Sequence, residues 1–380
     1  AKGPYEVNYK HQQLLSDLID FHEREAKIEW WEFFARKDSK TSSEKYEDTE
    51  IIANAEKIGE KLIKRSQGYI YKFSPDQPLK LYTKPGIKMH FVLSELLKKG
   101  DKFIPKNVIE KFDKNNDKKS LELEGEFDIN NPTNIIIKVS AHKKKVLEKV
   151  GINSLPKYCD LIPMPKQIYK RMLPDLVRQA KSWTDKNKKL TTAIIHLLEK
   201  KAIPELIHIN NKIREKPANT ASYLTEFLSS ANGIALSLQG PPGTGKTTVT
   251  GELIARLIDK NQSIVVSSQT HEAINNLLKS VQRNAQSLSS TPFVVKLSSG
   301  TSEKSDQRSL SGTKVQALRE NDLNSKANVL GATVFSLVKE RFGEKPYDLL
   351  VVDEAGQVSL SNLLFMSHCA RNILLVGDQN

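Results

Sequence analysis

The stretch Gly240-Pro241-Pro242-Gly243-Thr244-Gly245-Lys246-Thr247 leaves this chain few folds to choose from. It follows the apolar run Ile234-Ala235-Leu236-Ser237-Leu238 and precedes a segment, Thr248 to Ile258, with apolar residues at helical spacing. Strand, glycine-rich turn and helix in that order are the setting a phosphate-binding loop needs. Glycine lets successive backbone N–H groups close on a polyphosphate without a Cβ in the way. The helix start adds partial positive charge at the same place. Gly240, Pro241, Pro242, Gly243, Thr244, Gly245, Lys246, Thr247 and Thr248 are therefore expected to hold a nucleoside triphosphate. Lys246 would reach its β- and γ-phosphates, and the Thr247 hydroxyl would ligate Mg²⁺.

From about residue 220 the chain alternates strands and helices. Strands are expected at 234–238, 263–267, 293–297, 329–332, 348–352 and 372–376. Such alternation predicts a doubly wound parallel sheet, whose strand C-termini line the ligand crevice. The segment Ser298 to Lys326, rich in Ser, Thr, Gly and charge, reads as a mobile excursion from that sheet.

Three further strand ends carry chemistry. Leu349-Leu350-Val351-Val352 runs into Asp353-Glu354-Ala355-Gly356-Gln357. Asp353 is placed to hold Mg²⁺ and Glu354 to polarise an attacking water as general base. Asn372 to Val376 runs into Gly377-Asp378-Gln379, where Gln379 is placed to meet a γ-phosphate or that water and Asp378 to brace it. Ser263 to Ser267 runs into Ser268-Gln269-Thr270-His271 and the helix start through Asn275. These residues either cap the helix or offer neutral donors to a phosphodiester backbone. Thr333, after Gly331-Ala332, is a second candidate for a backbone phosphate.

Ahead of the loop the periodicity changes twice. Leu14, Leu15, Leu18, Ile19 and Phe21 form a helical face, followed by Trp30-Trp31-Glu32-Phe33-Phe34, aromatics at the spacing of a packed helix and expected to be buried. Short β-type runs then alternate with Pro, Gly and Asn turns, among them Tyr69 to Phe73, Lys80 to Tyr82, Leu121 to Phe127 and Ile135 to Val139. Short strands with frequent turns suggest a small barrel. Tyr69, Tyr71, Phe73 and Tyr82 are barrel core or a base-stacking platform. Helical spacing returns with Ile168, Met172 and Leu176, then with Ile194, Ile195, Leu197 and Leu198. The expected division is 1–55 helical stalk and linker, 56–165 small β-barrel, 166–219 stalk helices and 220–380 nucleotide-binding domain.

Composition narrows the partners. Of 58 Lys and Arg, 15 lie from 231 onward against 13 Asp and Glu; the remaining 43 basic and 32 acidic residues give the first 230 a net charge of +11. A basic region beside a near-neutral one points to a polyanion, with nucleic acid first. Solvated lysine, including His142-Lys143-Lys144-Lys145, is the alternative. No apolar run approaches the roughly 18 residues that span a bilayer. Cys159 and Cys369 alone make no disulfide framework or zinc site. The cytosol is the expected compartment.

GPPGTGKT, SSQTHEAINNLL, DEAGQ and GDQ, in this order and spacing, resemble motifs I, Ia, II and III of superfamily 1 helicases, in their 5′-to-3′ branch. Asp20 to Phe34 resembles, more loosely, the junction in bacterial proteins that fuse a RecB-like nuclease to such a helicase. The resemblance implies a RecA-like P-loop domain of α/β class, preceded by a helical stalk that carries a small β-barrel. It implies ATP and Mg²⁺ as cofactors and single-stranded DNA or RNA as partner. It further implies a second RecA-like domain bearing an arginine finger, and a nuclease domain, in a complete protein of which these 380 residues would be a piece ending directly after motif III. No glutamine motif is evident in Pro217 to Tyr223, so adenine preference is unspecified. The alternative is a P-loop regulatory ATPase or switch whose first 230 residues bind a protein. A P-loop phosphotransferase fits poorly, because DEAGQ and GDQ make a water-activating site.

Overall fold

A computed structural model of the chain describes residues 9–36, 42–48, 51–63, 68–74, 88–93, 123–128, 130–131, 133–149, 153–163, 168–184, 191–287, 291–298, 303–323 and 325–378. Its contacts divide it into two units, Arg24–Gln167 on one side, and Ala1–Glu23 with Ile168–Asn380 on the other.

In the first unit six antiparallel strands close into a barrel in the order β1-β2-β5-β4-β3-β6. They are β1 (Ile52–Ile63), β2 (Gly68–Ser74), β3 (Lys88–Leu93), β4 (Leu123–Phe127), β5 (Ile135–Val139) and β6 (Tyr158–Pro163). Alternation sets the inside: Leu123, Gly125 and Phe127 of β4 and Ile135, Ile137 and Val139 of β5 are buried, with half-buried residues between them. Tyr71 and Phe73 are core residues of the barrel and Tyr69 packs against them, while Tyr82 lies outside the described residues. Gly125 is required there, since a Cβ would sit 2.6 Å from Ile137 Cδ1 and 2.9 Å from Phe91 Cε2. Phe33 packs on Ile51, Ala53 and Ile162 with Trp30 beside it. Trp31 departs from the expectation of burial, being 68% exposed. It sits one position off the stripe that Trp30 and Phe33 share at i, i+3 spacing.

The second unit is built on seven strands, all parallel, in the order β10-β9-β11-β8-β12-β13-β7. These are β7 (Ala235–Gln239), β8 (Ile264–Ser267), β9 (Val294–Leu297), β10 (Gln316–Leu318), β11 (Val329–Gly331), β12 (Tyr347–Val352) and β13 (Ala370–Gly377). Helices cover both faces, so the central strands are apolar on both sides and read as unbroken hydrophobic runs. Ile264 and Val266 of β8, with Leu349 and Val351 of β12, face a core shared with helices Thr220–Ser230, Lys246–Asp259 and His271–Asn284. Val265, Leu350 and Val352 face the other, shared with helices Ile168–Thr184, Thr192–Leu198 and Leu360–Met366. This is the α/β RecA-like P-loop architecture.

The segment read as a mobile excursion is part of the sheet. Glu303–Ser309 is a helix, and β10 pairs in register with β9, Gln316 opposite Val295. Asp306 in that helix is buried. Among the described residues no helix is long and apolar enough to cross a membrane.

Candidate nucleotide site and the adjoining strand tips

The order β8-β12-β13-β7 brings four strand ends together at the carboxyl edge of the sheet. The loop after β7 is anchored to its neighbour, with the Gly240 amide donating to the Gly377 carbonyl at 3.3 Å. Gly243 and Gly245 have φ of +78° and +82°, and a Cβ at either would meet nothing within 4 Å. The left-handed backbone, not crowding, is what requires glycine at both positions. Thr244 closes the turn, its hydroxyl donating to the Pro241 carbonyl at 2.7 Å. Helix Lys246–Asp259 starts at the end of the loop, with Gly245 as its N-cap.

The Lys246 amine folds back over the loop. It donates to the Gly240 carbonyl at 2.7 Å and the Pro241 carbonyl at 3.1 Å, and pairs with the Asp378 carboxylate at the tip of β13. Asp378, expected to brace Gln379, is thus the counter-ion of the loop lysine. Gln379 itself lies outside the described residues. The Thr247 carbonyl accepts a hydrogen bond from the Ser280 hydroxyl at 3.0 Å. Ser280 belongs to helix His271–Asn284, so the two helices that begin at the β7 and β8 tips are tied at the candidate Mg²⁺ ligand.

Asp353 is 5% exposed at the end of β12, its amide donating to the Ser267 carbonyl at 2.9 Å. Burial pushes its carboxyl up to about 6; the Glu354 charge adds to the rise, while the Glu354 amide and the Lys246 charge oppose it. A carboxylate so short of compensating positive charge suits a divalent cation. Glu354 is exposed, with φ +54° and ψ +43°, and heads a short turn, Ala355–Gln357. Gly377 allows that turn to approach, since a Cβ there would lie 3.2 Å from the Ala355 amide nitrogen. The residues present therefore fit Mg²⁺ and a triphosphate: an open glycine turn, a lysine at its lip, a threonine at the helix start and a buried acid beside an exposed one.

The neighbouring tips of β8 and β11 hold the candidates for a nucleic-acid backbone. Ser268 is buried, and its hydroxyl has no hydrogen-bond partner among the described residues; Gln269 is exposed. Thr270 caps the helix, its hydroxyl accepting from the Ala273 amide at 3.1 Å. Thr333 stands at the end of β11 and its hydroxyl does not cap the short helix that follows. His271 is partly exposed, with Nδ1 3.1 Å from Lys296 Nζ and 3.4 Å from Asp306 Oδ2.

Asn275 is corrected by the structure. It is 2% exposed and its amide donates inward to Asp306 Oδ1 at 2.9 Å, so it is not presented to a ligand. At i+4 from His271 it lies on the same stripe one turn on, and that stripe turns into the core. Lys296 and Asp306 were missed in the sequence. The one signal was a lysine in the middle of the apolar run Val294-Val295-Lys296-Leu297, every residue of which is buried.

Fold and loop together define a P-loop nucleotide-binding domain of the RecA-like kind. Residues 220–380 match the family model described as an AAA domain. The chain is similar to "DNA replication ATP-dependent helicase/nuclease DNA2" of Saccharomyces cerevisiae, 28% identical over 144 residues, 37% of this chain and 9% of the relative. It is similar to the protein of the same name in Mus musculus, 29% over 213 residues, covering 51% of this chain and 19% of the relative. For that of Gallus gallus the figures are 30% over 146 residues, 37% and 14%. The chain thus spans less than a fifth of each of these relatives. A solved structure titled "Crystal structure of PRRSV nsp10 (helicase)" matches at a TM-score of 0.21 and 14% identity, over 43% of this chain and 29% of that one, too slight to bear on the fold.

Proposed function

We propose that the chain is the ATP-binding half of an ATP-dependent helicase or translocase of superfamily 1, acting on single-stranded nucleic acid, with DNA favoured by the relatives' names. The observation that carries this reading is a convergence. Lys246, Thr247, Asp353, Glu354 and Asp378 meet at one edge of the sheet, and the Ser268–His271 tip stands on the strand next to β12. The proposed division is stalk (1–55), barrel (56–165), stalk (166–219) and RecA-like domain (220–380), supported by the closed barrel of β1–β6 and the sheet of β7–β13, with one correction: β1 begins at Ile52, so the barrel starts ahead of the 55/56 boundary. The proposal also keeps the resemblance to the helicase part of a bacterial nuclease–helicase fusion, with a second RecA-like domain in the complete motor.

The chemistry follows from the residues. Lys246 exchanges the Gly240 and Pro241 carbonyls and the Asp378 carboxylate for the β- and γ-phosphate oxygens of ATP. Released Asp378 is then an acceptor beside those phosphates, and Gln379 follows it in the chain. Thr247 and Asp353 hold Mg²⁺, which when bound neutralises charge that develops on the phosphates. Glu354, exposed and held forward by its left-handed backbone, takes a proton from the attacking water. The Ser280 hydroxyl ties Thr247 to the helix whose first residues face the strand, which gives the two sites a shared element.

Fluorescent-nucleotide titration tests the first part, with Lys246→Ala abolishing the signal. An arginine supplied in trans is worth about 10³–10⁵ in rate, so these 380 residues are expected to bind ATP and turn it over negligibly. Hydrolysis at ordinary helicase speed refutes that. Binding of single-stranded DNA should weaken with salt, at a slope of roughly −0.7 in log affinity per neutralised phosphate. A flat, undetectable response at low salt favours the second reading, a P-loop switch whose first 230 residues, at a net charge of +11, bind an acidic protein.

A further inference from the structure

Lys296 is 0% exposed on β9, the second strand from one edge of the sheet and buried throughout. A buried ammonium is costly unless paired and fully bonded. A valine or isoleucine would fill the same place in the strand. What surrounds the amine accounts for its presence. It donates to the Leu297 carbonyl at 2.7 Å, lies 3.6 Å from Asp306 Oδ2 and sits 3.1 Å from His271 Nδ1. Asp306 in turn accepts from the Asn275 amide at 2.9 Å and from the Ser298 hydroxyl at 2.7 Å. Burial opposes its ionisation, yet His271 at 3.4 Å, the bonds from Ser298 and Asn275 and the Lys296 charge outweigh that and hold the carboxyl well below the usual carboxylate range.

An ammonium has three donors and no acceptor. His271 Nδ1 lies 3.1 Å from the amine and 3.4 Å from Asp306 Oδ2, and only the nearer contact is a hydrogen bond by geometry. Nδ1 accepting from the amine puts the ring proton on Nε2. His271 is the one member of this cluster at the surface, with 41% of its side chain exposed, and it is the first residue of helix His271–Asn284. A ring held in that form presents its Nε2–H beside the backbone donors of the helix start.

We propose that the buried Lys296–Asp306 pair is a clamp that positions His271, fixing it as the Nε2–H tautomer so that it donates to a backbone phosphate of the bound strand. This rests on the reading that the β8 tip faces nucleic acid. It assigns positioning roles to two residues outside every motif of the sequence, one from β9 and one from the helix Glu303–Ser309. It also gives that helix a purpose: Asp306 is its single buried acid and is spent on the clamp. Substituting Lys296 or Asp306 should therefore act on the strand and not on the nucleotide.

The test has two arms on the 380-residue protein. In the first, ¹⁵N-histidine NMR, with His271→Ala used to assign the signal, should show His271 as one tautomer, protonated at Nε2. Lys296→Met should convert it to a mixture. A freely exchanging pair of tautomers in the unsubstituted protein overturns the clamp, whether or not DNA binds. In the second, anisotropy of a labelled oligothymidylate at low salt should fall roughly tenfold in affinity for His271→Ala. Asp306→Asn should do the same, and the double substitution should be no weaker than His271→Ala alone. His271→Gln, whose amide also offers an outward N–H while accepting from Lys296, should retain most of the affinity. Fluorescent-nucleotide affinity should stay unchanged throughout. Losses that multiply in the double substitution, or a His271→Gln as weak as His271→Ala, overturn the positioning role. If Lys296→Met or Asp306→Asn fails to bind nucleotide, and so has not folded, the His271→Ala and His271→Gln comparison and the tautomer decide. A fixed tautomer with no salt-dependent DNA binding overturns the nucleic-acid reading and the phosphate contact together, and leaves only the clamp geometry.

Discussion

Glu354 carries its carboxylate on a backbone that side chains avoid, at φ +54°. Such a conformation costs roughly 1–2 kcal/mol and is tolerated where the surroundings enforce it, here the close passage of Gly377. Glu354→Gly should therefore raise the melting temperature of the nucleotide-free protein while removing whatever hydrolysis it supports; a fall in melting temperature would show that no strain is stored. Asp353 makes a pH prediction. Its pKa in the fold, about 6, lies above the ordinary 3.8, so the protonated form is favoured by folding. The stability contributed by that proton is full below about 3.8 and is lost as pH rises through about 6. Thermal melts of the protein without nucleotide should show a decline across that window, on the order of 2–3 kcal/mol at most for a shift of about two units. Asp353→Asn should flatten it, and Mg²⁺ with nucleotide should offset it at neutral pH. The positions of Lys246, Thr247, Asp353 and Glu354 at one edge of the sheet were legible in the sequence because each follows an apolar strand within a motif of fixed spacing. The Lys246–Asp378 pair and the inward turn of Asn275 were not, since both depend on neighbours far away in the chain.

At the level of elements, the tightest fit is between helices Lys246–Asp259 and His271–Asn284. A Cβ on Gly251 would lie 2.2 Å from the Ser280 hydroxyl oxygen and 2.9 Å from the Ser280 carbonyl carbon. The second atom is backbone and cannot turn aside, so Gly251→Ala must push the helices apart. Overpacking of this kind costs about 1–3 kcal/mol, and the urea midpoint should fall accordingly. Ser280→Ala should cost less, about 1 kcal/mol for the lost bond to the Thr247 carbonyl, but should weaken Mg²⁺-dependent nucleotide binding more than Mg²⁺-free binding. Six of the seven sheet strands could be read in advance because parallel strands covered on both faces are runs such as Leu349-Leu350-Val351-Val352. β10 could not: Gln316-Ala317-Leu318 is three residues long and only half buried, and Glu303 to Ser309 is polar along its whole length. The buried Asp306 in that helix looks like any surface charge until Lys296 is seen opposite it. Trp31 taught the reverse lesson, an aromatic in a packed-looking cluster that faces outward.

For the whole molecule, nucleotide binding is expected to register as global stability. A ligand that binds only the folded state at about 100 times its Kd adds roughly 2.7 kcal/mol, so saturating ATP with Mg²⁺ should raise the melting temperature of the unsubstituted protein and leave that of Lys246→Ala unmoved. The sheet order places one constraint on how that energy is distributed. Among the described residues β7, the strand that ends in the glycine loop, is hydrogen-bonded to a single neighbour, β13, and closes the sheet on that side. β12, which ends in the two acids, has partners on both flanks, β8 and β13. The half of the proposed pocket that carries the glycine loop thus hangs on the margin, and the half that carries the two acids is moored at the centre. Deuterium uptake without ATP should begin at Ala235–Gln239 well before Tyr347–Val352, and ligand should slow the former far more. The resting chain would then be loosest at the seam that its ligand stitches shut.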